Sequence, residues 1–286
     1  MASVLLVVNC QADASYQNRR LLHSLYADRF DMAFLVNRSC PTDETYTTIV
    51  SDWQPSPLGP DNRCLCCPAS AGDHAIGKHH FHPRLKAVAE MANPYEFVIF
   101  VEDDCLLSPH VNPLRVQQLC ADHDAVLPVI WLCDLADTTW VWSRYAAFYS
   151  NQDEVKKYFD RSRLRQHWHD FSGAMLPPQS GVPMFAAYSD IFILRTSLLR
   201  EIIADLPITE KMWLEIAIPT TILHHTGRIG LVKGCALWGE DRNCSPEEAI
   251  AMLRAADYVH PVKLSMYPAS RIQDAYQAVA LLDGPQ

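Results

Sequence analysis

The chain has 286 residues, of which 49% are hydrophobic and 20% charged, and it carries a formal net charge of −9. That apolar content can fill a sizeable core in one large α/β domain or two small ones, and the acidic balance without any Lys/Arg run excludes a broad nucleic-acid surface, which needs a basic face. Ten cysteines spread over so long a chain read as reduced thiols of a cytoplasmic protein rather than as a disulfide scaffold.

In chain order, the β-branched run Val4–Val8 reads as a first buried strand ending at Asn9. It is too short for a signal h-region or for a membrane span of about 20 residues. Leu21, Leu22, Leu25 and Tyr26 recur at helical spacing, and Met32–Val36 is a second apolar run, so strand, helix and strand open a parallel α/β sheet. Positions 40–78, punctuated by Pro55, Pro57, Gly59 and Pro60, read as loop. Leu85, Val88 and Met91 space a helix face ahead of Phe97–Val101, the most strand-like run in the chain, and Glu102-Asp103-Asp104 follows it directly.

Further on, Val126–Leu132 is an apolar run, while positions 134–182 show no assignable periodicity. Ile191–Leu194 predicts a strand and Leu198–Ile203 a helix. A second helix is predicted over Glu210–Leu223, kinked or ended by Pro219. Ile229–Val232 is a short strand, and helices over Glu247–Ala256 and Ala275–Leu282 flank the segment Tyr258–Ser265. No internal repeat and no linker is visible, so one continuous domain over 1–286 is expected.

Three adjacent carboxylates repel one another, and such a triplet is at home in a solvated loop or at a helix cap. At the C-terminal edge of an α/β sheet, where open sheets bind ligands, it becomes favourable once a hard divalent cation sits among its oxygens. That cation would neutralise a diphosphate and stabilise it as a leaving group. With the apolar strand before it and Leu106-Leu107-Ser108-Pro109 after it, the triplet resembles the DXD-type motif of GT-A glycosyltransferases. Its Glu-Asp-Asp form is similar to that of the N-acetylglucosaminyltransferase I group.

The resemblance implies a Rossmann-like α/β fold with a mixed, mainly parallel central sheet flanked by helices. Residues 1–133 would form the nucleotide-sugar half, and 134–286 the acceptor half with the C-terminal closure of the metal site. It makes Asp104 the direct ligand of Mn2+ or Mg2+, places Asp103 beside the metal and diphosphate, and sets Glu102 at the ribose side or on the metal. Tyr258-Val259-His260-Pro261-Val262-Lys263 is similar to the late His-containing segment of such enzymes, which makes His260 a metal ligand and Lys263 a phosphate contact. Asn9 would meet the base and ribose, as would His79 and Arg84 among the neighbouring Lys78, His80 and His82.

The implied reaction moves a sugar from a nucleotide-sugar, UDP-linked, to a hydroxyl of a glycan or lipid-linked acceptor. No transmembrane segment is expected, and peripheral membrane contact stays open. An inverting enzyme needs a carboxylate base on the acceptor side. Trp213–Thr220 resembles the segment that supplies one, and Glu215 lies there among apolar neighbours that desolvate it. Asp190, entering the strand at Ile191, would face the donor sugar, and Trp238 beside Gly239 would stack on it. The nearest rival, a nucleotidyltransferase, usually has a Gly-rich loop after its first strand, and Asn9-Cys10-Gln11-Ala12-Asp13 has no glycine. A non-catalytic sugar-binding protein is the other alternative. Cys64, Cys66 and Cys67 with His74, His79, His80 and His82 lack the spacing of a structural zinc site.

Overall fold

The computed structural model describes residues 3–10, 15–37, 47–51, 81–137, 139–178, 181–209, 212–237, 245–262 and 264–282. Its strands are β1 (Val4–Asn9), β2 (Asp31–Asn37), β3 (Thr47–Ser51), β4 (Phe97–Glu102), β5 (Leu106–Leu107), β6 (Ala125–Leu127), β7 (Trp131–Leu132), β8 (Phe185–Ala186), β9 (Ile191–Arg195), β10 (Ile229–Leu231), β11 (Gly234–Ala236) and β12 (Tyr258–His260). Seven of them form the central sheet in the order β10-β6-β9-β4-β1-β2-β3. Neighbours run parallel except at β9, which is antiparallel to both β4 and β6. The mixed, mainly parallel α/β sheet implied by the GT-A resemblance is therefore present.

The continuous apolar runs of β1 and β4 have a simple cause: both faces of the sheet are covered. Leu5, Val7, Val98 and Phe100 enter one core, and Val4, Leu6, Val8, Phe97, Ile99 and Val101 enter the other. Each such side chain, fully buried, stabilises the fold by roughly 1.5–3 kcal/mol, which fixes the register of the two central strands. Among the described residues no helix is long and apolar enough to cross a membrane. Among the described residues, Cys10, Cys105, Cys120, Cys133 and Cys235 form no disulfide.

Several sequence expectations need correction. The loop predicted over 40–78 contains β3, whose run Thr47-Thr48-Ile49-Val50 pairs parallel with β2. The apolar run Val126–Leu132 is two strands, β6 and β7, split at Pro128, which has no N–H for a ladder. Positions 134–182 hold three helices, Val141–Ser150, Asp153–Tyr158 and Arg161–Ser172. Their burial is spread over aromatic and mixed faces, so no clean period was visible.

The predicted helix around Pro219 starts at Leu214 and runs straight through the proline to His225. Proline cannot donate to the carbonyl four residues back, here that of Glu215. The structure uses this vacancy, because Glu215 O accepts from Ala187 N at 3.0 Å instead. The segment leading from β8 to β9 is thereby fastened to the start of the helix.

Candidate active site

The pairing of β1 with β4 places Asn9 opposite Glu102 at the C-terminal edge of the sheet. Asn9 Nδ2 donates to Glu102 Oε2 at 3.3 Å, and both side chains are buried. The chain then turns, with Asp103 N donating to Asn9 O and Cys105 N to Glu102 O. Because β9 is antiparallel, it begins where β4 ends, with Val101 opposite Ile191. Asp190 therefore stands at the same edge, and its carbonyl accepts from Glu102 N at 3.2 Å.

A three-stranded sheet, β11-β12-β5, brings in the histidine. After the triplet, β5 pairs antiparallel with β12, so that Val259 lies opposite Leu106. Asp257, just before β12, accepts from Arg115 Nε at 3.1 Å and from Lys233 N at 3.1 Å, while its carbonyl receives Ser108 N. On the other side Val262 N donates to Asp104 O at 2.7 Å. Held at both ends, His260 is inserted between two acids: Nε2 lies 3.0 Å from Asp104 Oδ1 and Nδ1 lies 3.0 Å from Asp190 Oδ1.

Burial opposes a charge on His260, but the contacts with Asp104 and Asp190 outweigh it and lift the imidazole to about 10. Asp190 is 2% exposed, and its Oδ2 is buried with no hydrogen-bond partner among the described residues. Asp104 keeps 28% of its side chain exposed, so the cluster has one open side. The donor set fits a divalent cation that displaces the Nε2 proton: a carboxylate oxygen and the imidazole nitrogen so freed would hold Mn2+. A carboxylate on the second ring nitrogen is also what metal-bound histidines usually have.

Glu215 lies in the first turn of the helix Leu214–His225, where the helix dipole favours a carboxylate. It is 6% exposed and still carries two polar partners: Trp142 Nε1 donates to Oε2 at 2.9 Å and Ser189 Oγ to Oε1 at 3.3 Å. Ser189 adjoins Asp190, so the polar groups run in sequence from Asp104 through His260, Asp190 and Ser189 to Glu215.

The structure thus brings together Asp104, His260, Asp190 and Glu215, and on the neighbouring strand end Asn9 and Glu102. Asp103 sits partly exposed in the turn between them. Arg84 and His82 stand in the first turn of the helix Phe81–Met91, but their side chains lie outside what is described, and so do His79, Trp238, Lys263 and the cluster from Cys64 to His80.

Sequence reading missed an aromatic wall beside Glu215. Trp131 stacks on Trp140 at 5.4 Å and meets Tyr188 edge-on at 5.3 Å. Trp142 lies 5.1 Å from Trp140 and stacks on Trp213 at 5.2 Å. The one available signal was the density of tryptophan from 131 to 142, in the stretch without periodicity.

By sequence the chain matches no protein-family model and no curated protein. By structure it is similar to core-mannan synthase A (CmsA/Ktr4) from Aspergillus fumigatus in its Mn/GDP form, with 10% identity, TM-score 0.43, and 79% of this chain and 72% of that one covered. It is similar to the galactosyltransferase LgtC in complex with donor and acceptor sugar analogs, with 10% identity, TM-score 0.42, and coverage of 96% and 95%. It is also similar to 2-C-methyl-D-erythritol 4-phosphate cytidylyltransferase from Thermus thermophilus, with 12% identity, TM-score 0.39, and coverage of 90% and 98%. At these scores the likeness is one of overall chain path, and the chemistry has to be read from the side chains.

Proposed function

We propose that the protein is a divalent-metal-dependent glycosyltransferase that moves a sugar from a nucleotide-sugar, UDP-linked, to a hydroxyl of a glycan or lipid-linked acceptor with inversion. The observation that carries this reading is the insertion of His260 between Asp104 and Asp190, 3.0 Å from each, at the C-terminal edge of the sheet. Asp104 and His260 would hold Mn2+ or Mg2+, whose positive charge stabilises the diphosphate as it leaves. Asp190, 3.0 Å from Nδ1, would orient the imidazole, and its Oδ2 has no hydrogen-bond partner among the described residues. Asn9 and Glu102, joined at the neighbouring strand end, form the ribose side of the donor site, with Asp103 between them and the metal. Arg84, His79, Lys263 and Trp238 remain candidates for further donor contacts.

Glu215 is the base. It takes the proton of the acceptor hydroxyl as that oxygen bonds to the anomeric carbon, while the bond from that carbon to the diphosphate breaks. Trp142 and Ser189 hold the two carboxylate oxygens in place, so attack occurs from a fixed direction.

The test is release of nucleoside diphosphate from UDP-, GDP- and TDP-sugars, with and without Mn2+. The reading expects turnover with a UDP-sugar that requires the metal. Nucleotide binding without turnover of any donor would establish a non-catalytic binding protein, and pyrophosphate release from a nucleoside triphosphate and a sugar phosphate would establish a nucleotidyltransferase.

A further inference from the structure

The aromatic wall is larger than the positioning of Glu215 requires. Trp142 Nε1 donates to the carboxylate, and Trp131, Trp140 and Tyr188 continue the wall from it, with Trp140 39% exposed. Trp131, Trp142 and Tyr188 are each partly exposed, while Trp213 closes the wall from behind at 3%. Three separate segments converge here. Trp131 comes from β7, paired with β8 through Ala186; Tyr188 follows β8; Trp140 caps the helix Val141–Ser150 and Trp142 sits in its first turn. Asp137 sets the approach of that helix, since its Oδ1 accepts from the amides of Thr139 and Trp140. Exposed indole surface costs free energy in water, and a wall of this kind beside a carboxylate is the surface a ligand with one apolar face would cover.

We propose that Trp131, Trp140, Trp142 and Tyr188 form the acceptor subsite, and that the unit it takes is a pyranoside with one continuous C–H face. The name acceptor rests on the glycosyl-transfer reading; the binding of a sugar ring does not. An aromatic face contacts the axial C–H groups of such a ring while its equatorial hydroxyls point sideways. The polar groups that edge the wall suit those hydroxyls: Glu215 Oε1 and Oε2, held by Ser189 and Trp142, stand beside it. A hydrocarbon chain laid on the same wall would desolvate the Glu215 carboxylate with nothing in exchange, which is costly. A ring hydroxyl directed at Glu215 is also the group that the base has to deprotonate.

Four of the chain's seven tryptophans lie in this wall, so intrinsic fluorescence reports on it. The test titrates the whole protein, without metal or nucleotide, with methyl α- and β-D-hexopyranosides and their disaccharides, and with octyl phosphate as the hydrocarbon arm. The expected result is saturable quenching by at least one pyranoside. Trp140→Ala should weaken it at least tenfold and Trp140→Phe should retain most of it, with far-UV circular dichroism unchanged because the ring is exposed. Asp104→Asn should leave it unaltered. Quenching by octyl phosphate but by no pyranoside, no saturable quenching at all, or equal affinity in Trp140→Ala and wild type overturns the subsite. Sugar binding without turnover on any donor would leave the subsite standing and remove the transferase reading; turnover without pyranoside binding would do the reverse.

Discussion

His260 Nδ1 lies 3.0 Å from Asp190 Oδ1, although the two residues enter from different sheets. The contact exists because β9 is antiparallel and starts at the edge where β4 ends, while β12 returns along β5. Asp190→Asn keeps the shape and removes the charge behind the imidazole. It should weaken Mn2+ about 10–100-fold, and excess Mn2+ should restore most of the turnover. Calorimetric Mn2+ titration together with the metal dependence of nucleoside diphosphate release checks this.

Asp104→Asn should lower metal-dependent turnover on the order of 10²–10³-fold, the usual loss when one group that stabilises developing charge is removed. The substitution changes no buried packing, since Asp104 is partly exposed. It also removes the charge that faces the buried His260, so a lowered melting temperature should accompany the lost activity at neutral pH, and unchanged activity would remove the metal site from the proposal.

Glu215→Gln should reduce kcat about 10²–10⁴-fold, the range of general-base catalysis, and leave nucleoside diphosphate affinity as it is. Trp142→Phe keeps the wall but deletes the donor to Glu215 Oε2. A loss of about tenfold in kcat is expected, the equivalent of about 1.4 kcal/mol for one hydrogen bond to a charged group. Steady-state kinetics with saturating donor separates the two variants.

Gly234 is needed for a close approach rather than for its backbone angles. A Cβ there would come within 2.0 Å of Tyr258 Cε1, and Tyr258 is buried at 3% and has no room to swing away. Gly234→Ala should cost about 1–3 kcal/mol of stability. It should also weaken Mn2+, because the strand it displaces, β12, carries His260. Thermal melts and metal titration read the two effects together.

At the C-terminal end of the helix Leu214–His225, Asp205 accepts from Tyr158 Oη and lies 2.7 Å from His225 Nε2; His224 also faces it, and Glu201 lies 3.4 Å from His225 Nδ1. Burial opposes ionisation of Asp205, but the facing His224 and the hydrogen bonds from His225 and Tyr158 outweigh it and hold the carboxyl below its ordinary value of 3.8. The bond to Asp205 raises His225 above 6.5, against burial and the charge of Arg163 and with Glu201 assisting. Stability from Asp205 is present above 3.8 and fades as pH falls through its lowered value; stability from His225 is full below 6.5 and fades as pH rises through its raised value. His225→Gln should thus cost about 2–3 kcal/mol between those limits, with a gap from wild type that narrows at alkaline pH. Denaturant melts across the pH range would show it.

The central strands were legible because they are buried on both faces, which leaves uninterrupted runs such as Phe97–Val101. The thin edge strand β3 was not, since its two threonines at 47 and 48 sit among loop residues and pairing with β2 decides their state. Pro219 misled for a related reason. A proline ends a helix when its missing bond has no other use, and here Ala187 takes the free carbonyl.

The sequence by itself determined the central strands, the acids at the end of β4 and the candidates for chemistry: Asp104, Asp190, Glu215 and His260. Only the tertiary structure decided that His260 lies between Asp104 and Asp190, that Ser189 next to Asp190 bonds Glu215, and that Trp131, Trp140, Trp142 and Tyr188 gather beside that carboxylate. Local hydrophobic pattern encodes which face of an element is buried. The meeting of side chains 86 or 156 positions from Asp104, at 190 and 260, depends on strand direction and pairing, which are properties of the folded chain.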